Sequence, residues 1–338
     1  MDKKIRNLSR FIILALSLIT SVALHASDSI IVYSGRSDKF IKPVLENFTQ
    51  KTGIKVIVHA GKSTALLNKL NVEGARTDAD LFVSNDAGTL QKGSELGLFA
   101  KIPQKVASQI EKNYRADDDT WIGLSARARV LVVNKNSKIG SKVNSVFDLA
   151  RPELKGKLGI TNSTNESYIA GVTVYMLATD KQKVKSWLQG MKDNVNGKVF
   201  NKHSKIVKAV ADGKLDVGLV NHYYIFRHFD KHPDAPIDIV IPDQAEDQIG
   251  VAWNVAGVAI SKHSKKQQLA QDLINFLVSA DGQKQFSEVN REYPTRKGVP
   301  ASDKVPAAGS YKITDVPMSK LGTYRNETID LIEKVGMP

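Results

Sequence analysis

The 338-residue chain contains no cysteine. Disulfides, thiolate metal centres and cysteine nucleophiles are excluded, as is a lipidated N-terminal cysteine that would tether an exported protein to a membrane. No Gly-x-Ser-x-Gly elbow, Gly-rich phosphate loop or His-Glu-x-x-His pair occurs. His222 and His228 stand in an HxxxxxH spacing that does not fit a zinc peptidase. These gaps argue against a hydrolase. Internal repeats and low-complexity segments are missing too. After Ala23 no apolar run is long enough to cross a bilayer. Acids are in deficit, with 35 Asp and Glu against 48 Lys and Arg, a formal charge of +13. The lysines (Lys101, Lys105, Lys112, Lys135, Lys138, Lys142, Lys155 and Lys157 among them) are scattered rather than grouped with exposed aromatics. They read as a solvated surface, and nucleic acid is not an expected partner.

The N-terminus carries an address. Lys3, Lys4, Arg6 and Arg10 form a basic stretch, Phe11 to Ala23 an apolar one, and Leu24-His25-Ala26 ends in a small residue ahead of Ser27. Residues 1–26 are therefore expected to be a cleaved secretory signal peptide. A soluble exported protein with no lipid tether is expected in the periplasm of a two-membrane bacterium. The roughly 310 residues that remain supply enough core for two domains without covalent staples.

Apolar periodicity alternates between strand and helix. Ser29–Tyr33, Ile54–His59 and Ala79–Ser84 read as strands, separated by amphipathic helices over Asp38–Lys51, Ser63–Val72 and Ala87–Leu96. A second block has strands at Arg129–Asn134, Lys157–Thr161 and Asp216–Val220, with helices at Glu166–Ala178, Val184–Met191 and Ile206–Ala211. Asn254–Ile260 is a further strand, Gln267–Val278 a helix and Tyr324–Val335 a last helix. The expected fold class is α/β with two lobes, each a mostly parallel sheet flanked by helices, joined by two crossing strands. The crossings are expected near Ser125–Val133 and Val251–Ile260. Lobe 1 is expected to comprise residues 27–127 plus about 253–305, and lobe 2 about 128–252 plus 306–338. A ligand then sits between the lobes, at the carboxyl ends of strands.

Tyr223 and Tyr224 follow the apolar run Asp216-Val217-Gly218-Leu219-Val220. A helix turn begun directly after a strand can bring both phenol oxygens toward one point. Phenolates are hard oxygen donors and suit a small, highly charged cation such as ferric iron.

Five stretches carry a resemblance over essentially the whole mature length. They are Ile31-Val32-Tyr33-Ser34-Gly35-Arg36, Thr52-Gly53-Ile54-Lys55-Val56, Ala79-Asp80-Leu81-Phe82-Val83 with Asp86-Ala87-Gly88, Trp121 to Val130, and Asn221-His222-Tyr223-Tyr224. The Leu-Ser-x-Arg-x-Arg-Val stretch together with Asn-x-Tyr-Tyr is the most specific part. With these, the chain resembles the periplasmic ferric-ion-binding proteins of ABC iron-uptake systems. The resemblance implies a non-enzymatic, monomeric clamp. It would bind ferric iron, bare or as a chelate, and deliver it to an inner-membrane ABC permease.

The resemblance also implies ligands. Tyr223 and Tyr224 match the family's tyrosine pair, and Tyr168 matches the third tyrosine that many members place on the helix after the strand at Lys157–Thr161. Tyr175, two turns deeper, reads as core. Where some members have a histidine after the first strand, this chain has Ser37 and Asp38. Where some have a glutamate after the third, it has Ser84-Asn85-Asp86, and Asp86 also reads as a helix cap. The under-filled shell is expected to take a synergistic anion, carbonate or phosphate, or water. Arg127 would hold an anion by a bidentate fork, helped by backbone N–H groups over Ser163–Ser167. Asn221 and His203 are weaker anion candidates, and Arg36 and Arg129 are alternatives to Arg127. The rival readings are a protein of the same fold for a polyamine, sulfate or phosphonate, and an exported hydrolase. Polyamines want carboxylates in the cleft, and the tyrosines favour iron.

Overall fold

The alternation of buried runs and amphipathic helices builds a layered α/β structure. The structure is a computed structural model that describes residues 29–338. The leader and its cut site lie outside the described residues. Strands β1 (Ser29–Ser34), β2 (Lys55–Ala60) and β3 (Leu81–Ser84) alternate with helices α1 (Asp38–Thr52), α2 (Ser63–Glu73) and α3 (Ala87–Glu95). Helix α1 forms because Phe40, Ile41, Val44, Leu45 and Phe48 fall on one face and all are buried. It stops at Gly53, whose φ of 75° lets the amide close back on the Thr49 carbonyl. Short β4 (Phe99–Ala100) and α4 (Gln104–Ala107) lead to β5 (Trp121–Asn134), which is buried at every residue.

The chain continues through β6 (Leu158–Gly159), α5 (Glu166–Ala178), α6 (Lys181–Val195), α7 (His203–Ala211), β7 (Val217–Asn221), α8 (Tyr223–Phe229) and β8 (Ile237–Val240). It then runs through β9 (Trp253–Ser261), α9 (Gln267–Val278), α10 (Ala280–Asn290), β10 (Tyr293–Pro294), α11 (Lys320–Thr323) and α12 (Arg325–Val335). The main sheet path is β2-β1-β3-β9-β5-β7-β6. It is parallel at both ends, β2-β1-β3 and β7-β6, and antiparallel around β5 and β9. Strand β5 pairs with β9 through Trp121–Ala128 and with β7 through Arg129–Val133. It therefore passes from one half of the sheet to the other between Ala128 and Arg129.

Three local differences from the sequence reading follow from capping and edge effects. The helix expected from Ile206 starts at His203, because Lys202 already has extended backbone. The strand expected over Lys157–Thr161 is only Leu158–Gly159, with Thr161 in a lone bridge to Phe200. Helix α10 went unread because it follows α9 at once. Ser279 ends α9 with an extended backbone and caps the Gly282 N–H, separating two helices that one apolar stripe would have merged.

The C-terminal segment touches both halves of the sheet. Helix α11 packs on α3, and α12 packs on α5 and α6. An ion pair between a half-buried arginine and a fully buried aspartate ties this segment down. Arg325 Nη1 donates to Asp86 Oδ2 at 3.0 Å, and Asp86 also accepts from Asn254 Nδ2 and from the Thr89 N–H, both at 2.9 Å. Asp86 is thus the cap of α3 and the anchor of the tail. Removing one partner of such a pair leaves an uncompensated buried charge. Arg325→Ala is expected to lower stability by about 3–5 kcal/mol in urea unfolding. The double variant Asp86→Asn/Arg325→Leu should lose less than the sum of the single losses. An exposed-pair value below about 1 kcal/mol for Arg325→Ala would refute this role.

Candidate metal centre

The carboxyl ends of β1, β3 and β7 and the start of α5 surround a cavity of about 700 Å³. Gly35 makes the β1 end possible. A Cβ there would lie 2.0 Å from Ser63 Oγ, so only glycine lets the strand run against the start of α2. Ser63 is held in place by the Asn85 amide, which donates to its hydroxyl at 3.4 Å.

Strand β7 ends at Asn221, and α8 begins at Tyr223. This abrupt change from extended to helical backbone turns both tyrosines into the cavity, which both line. Their ring centroids are 4.6 Å apart at 40°. Asn221 Nδ2 donates to Tyr223 Oη at 3.1 Å. The Phe40 ring packs edge-on against Tyr223 at 5.5 Å, and the Lys39 ammonium lies over the Tyr224 ring at 6.0 Å. Burial, and next the adjacent Tyr223 phenol, push the Tyr224 phenol up well above its ordinary value.

Between strand and helix, His222 is locked as a neutral ring. Its Nδ1 accepts the Ala128 N–H at 3.1 Å and its Nε2 donates to the Arg291 carbonyl at 2.7 Å. Burial holds its pKa down to about 4. Both ring nitrogens are occupied, so His222 fixes the start of α8 rather than serving as a metal donor.

Behind the tyrosines lies a positive charge with no carboxylate beside it. Arg129 is buried and donates to Asn221 Oδ1 at 3.2 Å, with His203 Nδ1 at 3.4 Å. Burial lowers its pKa to about 10. A guanidinium has only donors, so His203 Nδ1 is the acceptor and its proton sits on Nε2, which has no partner among the described residues. Burial first, then Arg129 and Arg127, keeps His203 neutral. Its ring lies 5.1 Å from that of Tyr224 at the cavity wall, with the Nε2–H itself buried.

The other expected residues divide into two groups. Arg127, Asn221, His203 and Ser37 line the cavity with the tyrosine pair. Arg127 donates to the Asn85 carbonyl. The second group points elsewhere. Tyr168 is 1% exposed, does not line the cavity, and its hydroxyl is buried without a partner. The first turn of α5 aims Glu166 and Ser167 at the cavity, so Tyr168 falls on the helix face that packs inward. Tyr175 is core, edge-on to Trp187 and Phe147. Asp38 is exposed and pairs with Lys42 at 2.7 Å along α1. Asp86 is consumed by its cap and by Arg325. Arg36 is buried against Glu292 at 2.7 Å and Ser125 at 3.0 Å, which leaves it no fork for an anion in the cavity. Arg129 sits beneath the pair rather than among the lining side chains. The amides expected to cradle an anion at the start of α5 are partly used, since Asn165 Oδ1 accepts the N–H groups of Ser167 and Tyr168.

Sequence reasoning missed Glu166, Glu292, Ser63 and Asn85. Glutamate in a first helical turn reads as a complement to the helix dipole, so nothing local marked Glu166 as facing a cleft. Among the described residues no group of three His, Cys, Asp or Glu could hold a metal. The arrangement is suited instead to an oxygen-loving cation held by phenolates, with Asn221, His203 and Arg127 supplying hydrogen bonds to ligands or water.

The chain is similar to several known proteins over most of its length. The chain is 29% identical to "Iron uptake protein A1" of Synechocystis sp., over 86% of this chain and 82% of that one. It is 27% identical to the "Fe(3+)-binding periplasmic protein" of Serratia marcescens over the full length of both. The Trichodesmium protein solved in complex with iron and citrate ligands superposes with a TM-score of 0.81 at 30% identity, over 92% of this chain and all of that one. A sheet traversed by one long strand, a cavity at the strand ends and a family model matching residues 44–312 lead to one assignment: the chain belongs to the bacterial extracellular solute-binding proteins.

Proposed function

We propose that this protein captures ferric iron in the periplasm and hands it to an inner-membrane ABC permease. The observation that carries the reading is the convergence of Tyr223 and Tyr224 on one cavity, their rings 4.6 Å apart. Support comes from relatives named for ferric-iron binding or iron uptake that span nearly the whole chain. The protein binds its cargo and does not transform it. In this reading residues 27–127 with about 253–305 form one jaw and about 128–252 with 306–338 the other, with α11 reaching back onto the first.

Two phenolates replace water on the ion and leave one residual positive charge. Asn221 steadies Tyr223 through its hydrogen bond, and the His203 ring packs beside Tyr224. Arg127, whose hydrogen-bond acceptor is the Asn85 carbonyl, orients the oxygen donor, water or a small anion, that completes the shell. Enclosure keeps the ion from hydrolysing. Export by the N-terminal leader places the protein where the permease is met.

Tyr223→Phe and Tyr224→Phe keep the ring and remove one donor oxygen. Each is expected to weaken ferric affinity by more than the roughly 100-fold that outer-shell changes reach, and to shift the visible phenolate-to-iron band. Tyr168→Phe should leave that band unmoved, because its hydroxyl lies outside the cavity. A spectroscopic titration with ferric nitrilotriacetate checks all three, and wild-type affinity in both pair variants would place the site elsewhere.

The pH dependence follows from proton displacement. A free phenol titrates near pH 10, and burial pushes Tyr224 higher still, so coordination through both phenols costs two protons. Iron must displace both, and the apparent affinity should fall about 100-fold per pH unit as pH drops. A slope near about tenfold per unit would mean that one phenol coordinates.

A further inference from the structure

We propose that Glu166 is the third anionic ligand of the bound ion, so that the protein supplies from its own chain the charge that an exogenous anion would otherwise bring. The inference rests on the ferric reading above. Its starting point is charge balance. Two phenolates leave ferric iron with one uncompensated positive charge, and Tyr168 does not reach the cavity.

Only four lining side chains can carry negative charge: Tyr223, Tyr224, Glu166 and Glu292. Glu292 is already committed. Its two oxygens accept from Arg36 Nη2 at 2.9 and 2.7 Å, and one of them also accepts from Ser125 Oγ at 2.8 Å. Glu166 is half-buried at the cavity wall, and among the described residues its carboxylate accepts one hydrogen bond, from Ser63 Oγ at 3.2 Å. That leaves lone pairs free to face a cation.

Its placement agrees with this role. Ser167, the next residue, accepts from Asn221 Nδ2 at 3.3 Å, and the same Nδ2 donates to Tyr223 Oη at 3.1 Å. Two hydrogen bonds therefore link the start of α5 to the tyrosine pair. Glu166 also disfavours an outside anion at this helix start, by like-charge repulsion and because Asn165 already occupies the Ser167 and Tyr168 amides. Because Ser63 lies on α2 and Glu166 on α5, the same carboxylate joins the two walls of the cavity.

The test is a titration of the full exported chain with ferric nitrilotriacetate in buffer freed of bicarbonate and phosphate, then across a series of each anion. Wild type, Glu166→Gln, Glu166→Asp and Tyr223→Phe are compared, with thermal melts to confirm folding and radiolabelled bicarbonate to count retained anion. Wild type is expected to bind without either anion, retain none and show an affinity flat across both series. Glu166→Gln should lose about 10–100-fold or more and recover part of it as bicarbonate or phosphate rises. Glu166→Asp, which keeps the charge, should lose less and stay independent of anion. The proposal is overturned if Glu166→Gln matches wild type without anion, or if wild type itself needs bicarbonate or phosphate. In both cases the visible phenolate band, sensitive to Tyr223→Phe, would leave the ferric reading standing. No band for wild type in any buffer would remove the ferric reading and this proposal with it.

Discussion

The structure depends on one continuous strand. Strand β5 is buried along all fourteen residues and spends its backbone hydrogen bonds on β9 first and β7 afterwards. Unpaired backbone groups are costly away from water, so the two halves of the sheet cannot slide apart without breaking one of these ladders. The hand-over between Ala128 and Arg129 also sets the site. Residues two apart on a strand share a face, and Arg127 and Arg129 straddle the hand-over. One faces the cavity and the other lies beneath the tyrosines. His222 clasps the same point from just beyond the end of β7 by accepting the Ala128 amide.

This placement gives the cavity its electrostatic character. Arg129 is buried with no carboxylate partner, Nε and Nη2 without acceptors. A buried uncompensated charge is expensive. Its field favours negative charge nearby, and the phenols are the groups at hand that become negative when a cation displaces their protons. In the proposed ferric reading the cation displaces the phenol protons, and the phenolates then face both the ion and Arg129. His203, kept neutral by burial and by the two arginines, adds a hydrogen bond without adding positive charge.

Much of the fold was legible because it rests on local patterns. The apolar face of α1, the Gly53 stop and the run Val217 to Asn221 are written in consecutive residues and survive whatever packs around them. The Tyr223–Tyr224 pair was legible for the same reason, since a strand that passes straight into a helix fixes where the next side chains point. Helix α10 and the start of α7 were not, because each depends on a cap whose side chain or backbone angle redefines an apolar stripe. Tyr168 shows the limit most directly. The resemblance offered it as a ligand, yet the α5 register turns it inward and puts Glu166 at the cavity wall instead.

The amino-acid sequence by itself determined the alternating α/β order, the absence of thiol chemistry, the basic charge and the tyrosine pair. Each is set by composition or by residues within one or two turns of each other. Tertiary structure alone decided which charges face the cavity. Arg36 and Asp86 are spent on Glu292 and Arg325, residues 256 and 239 positions away in the chain, and Arg127, Glu166 and His203 are left to line the cavity. Partner choice over such separations follows from how the sheet halves and the C-terminal helix close on each other, and no local pattern encodes it.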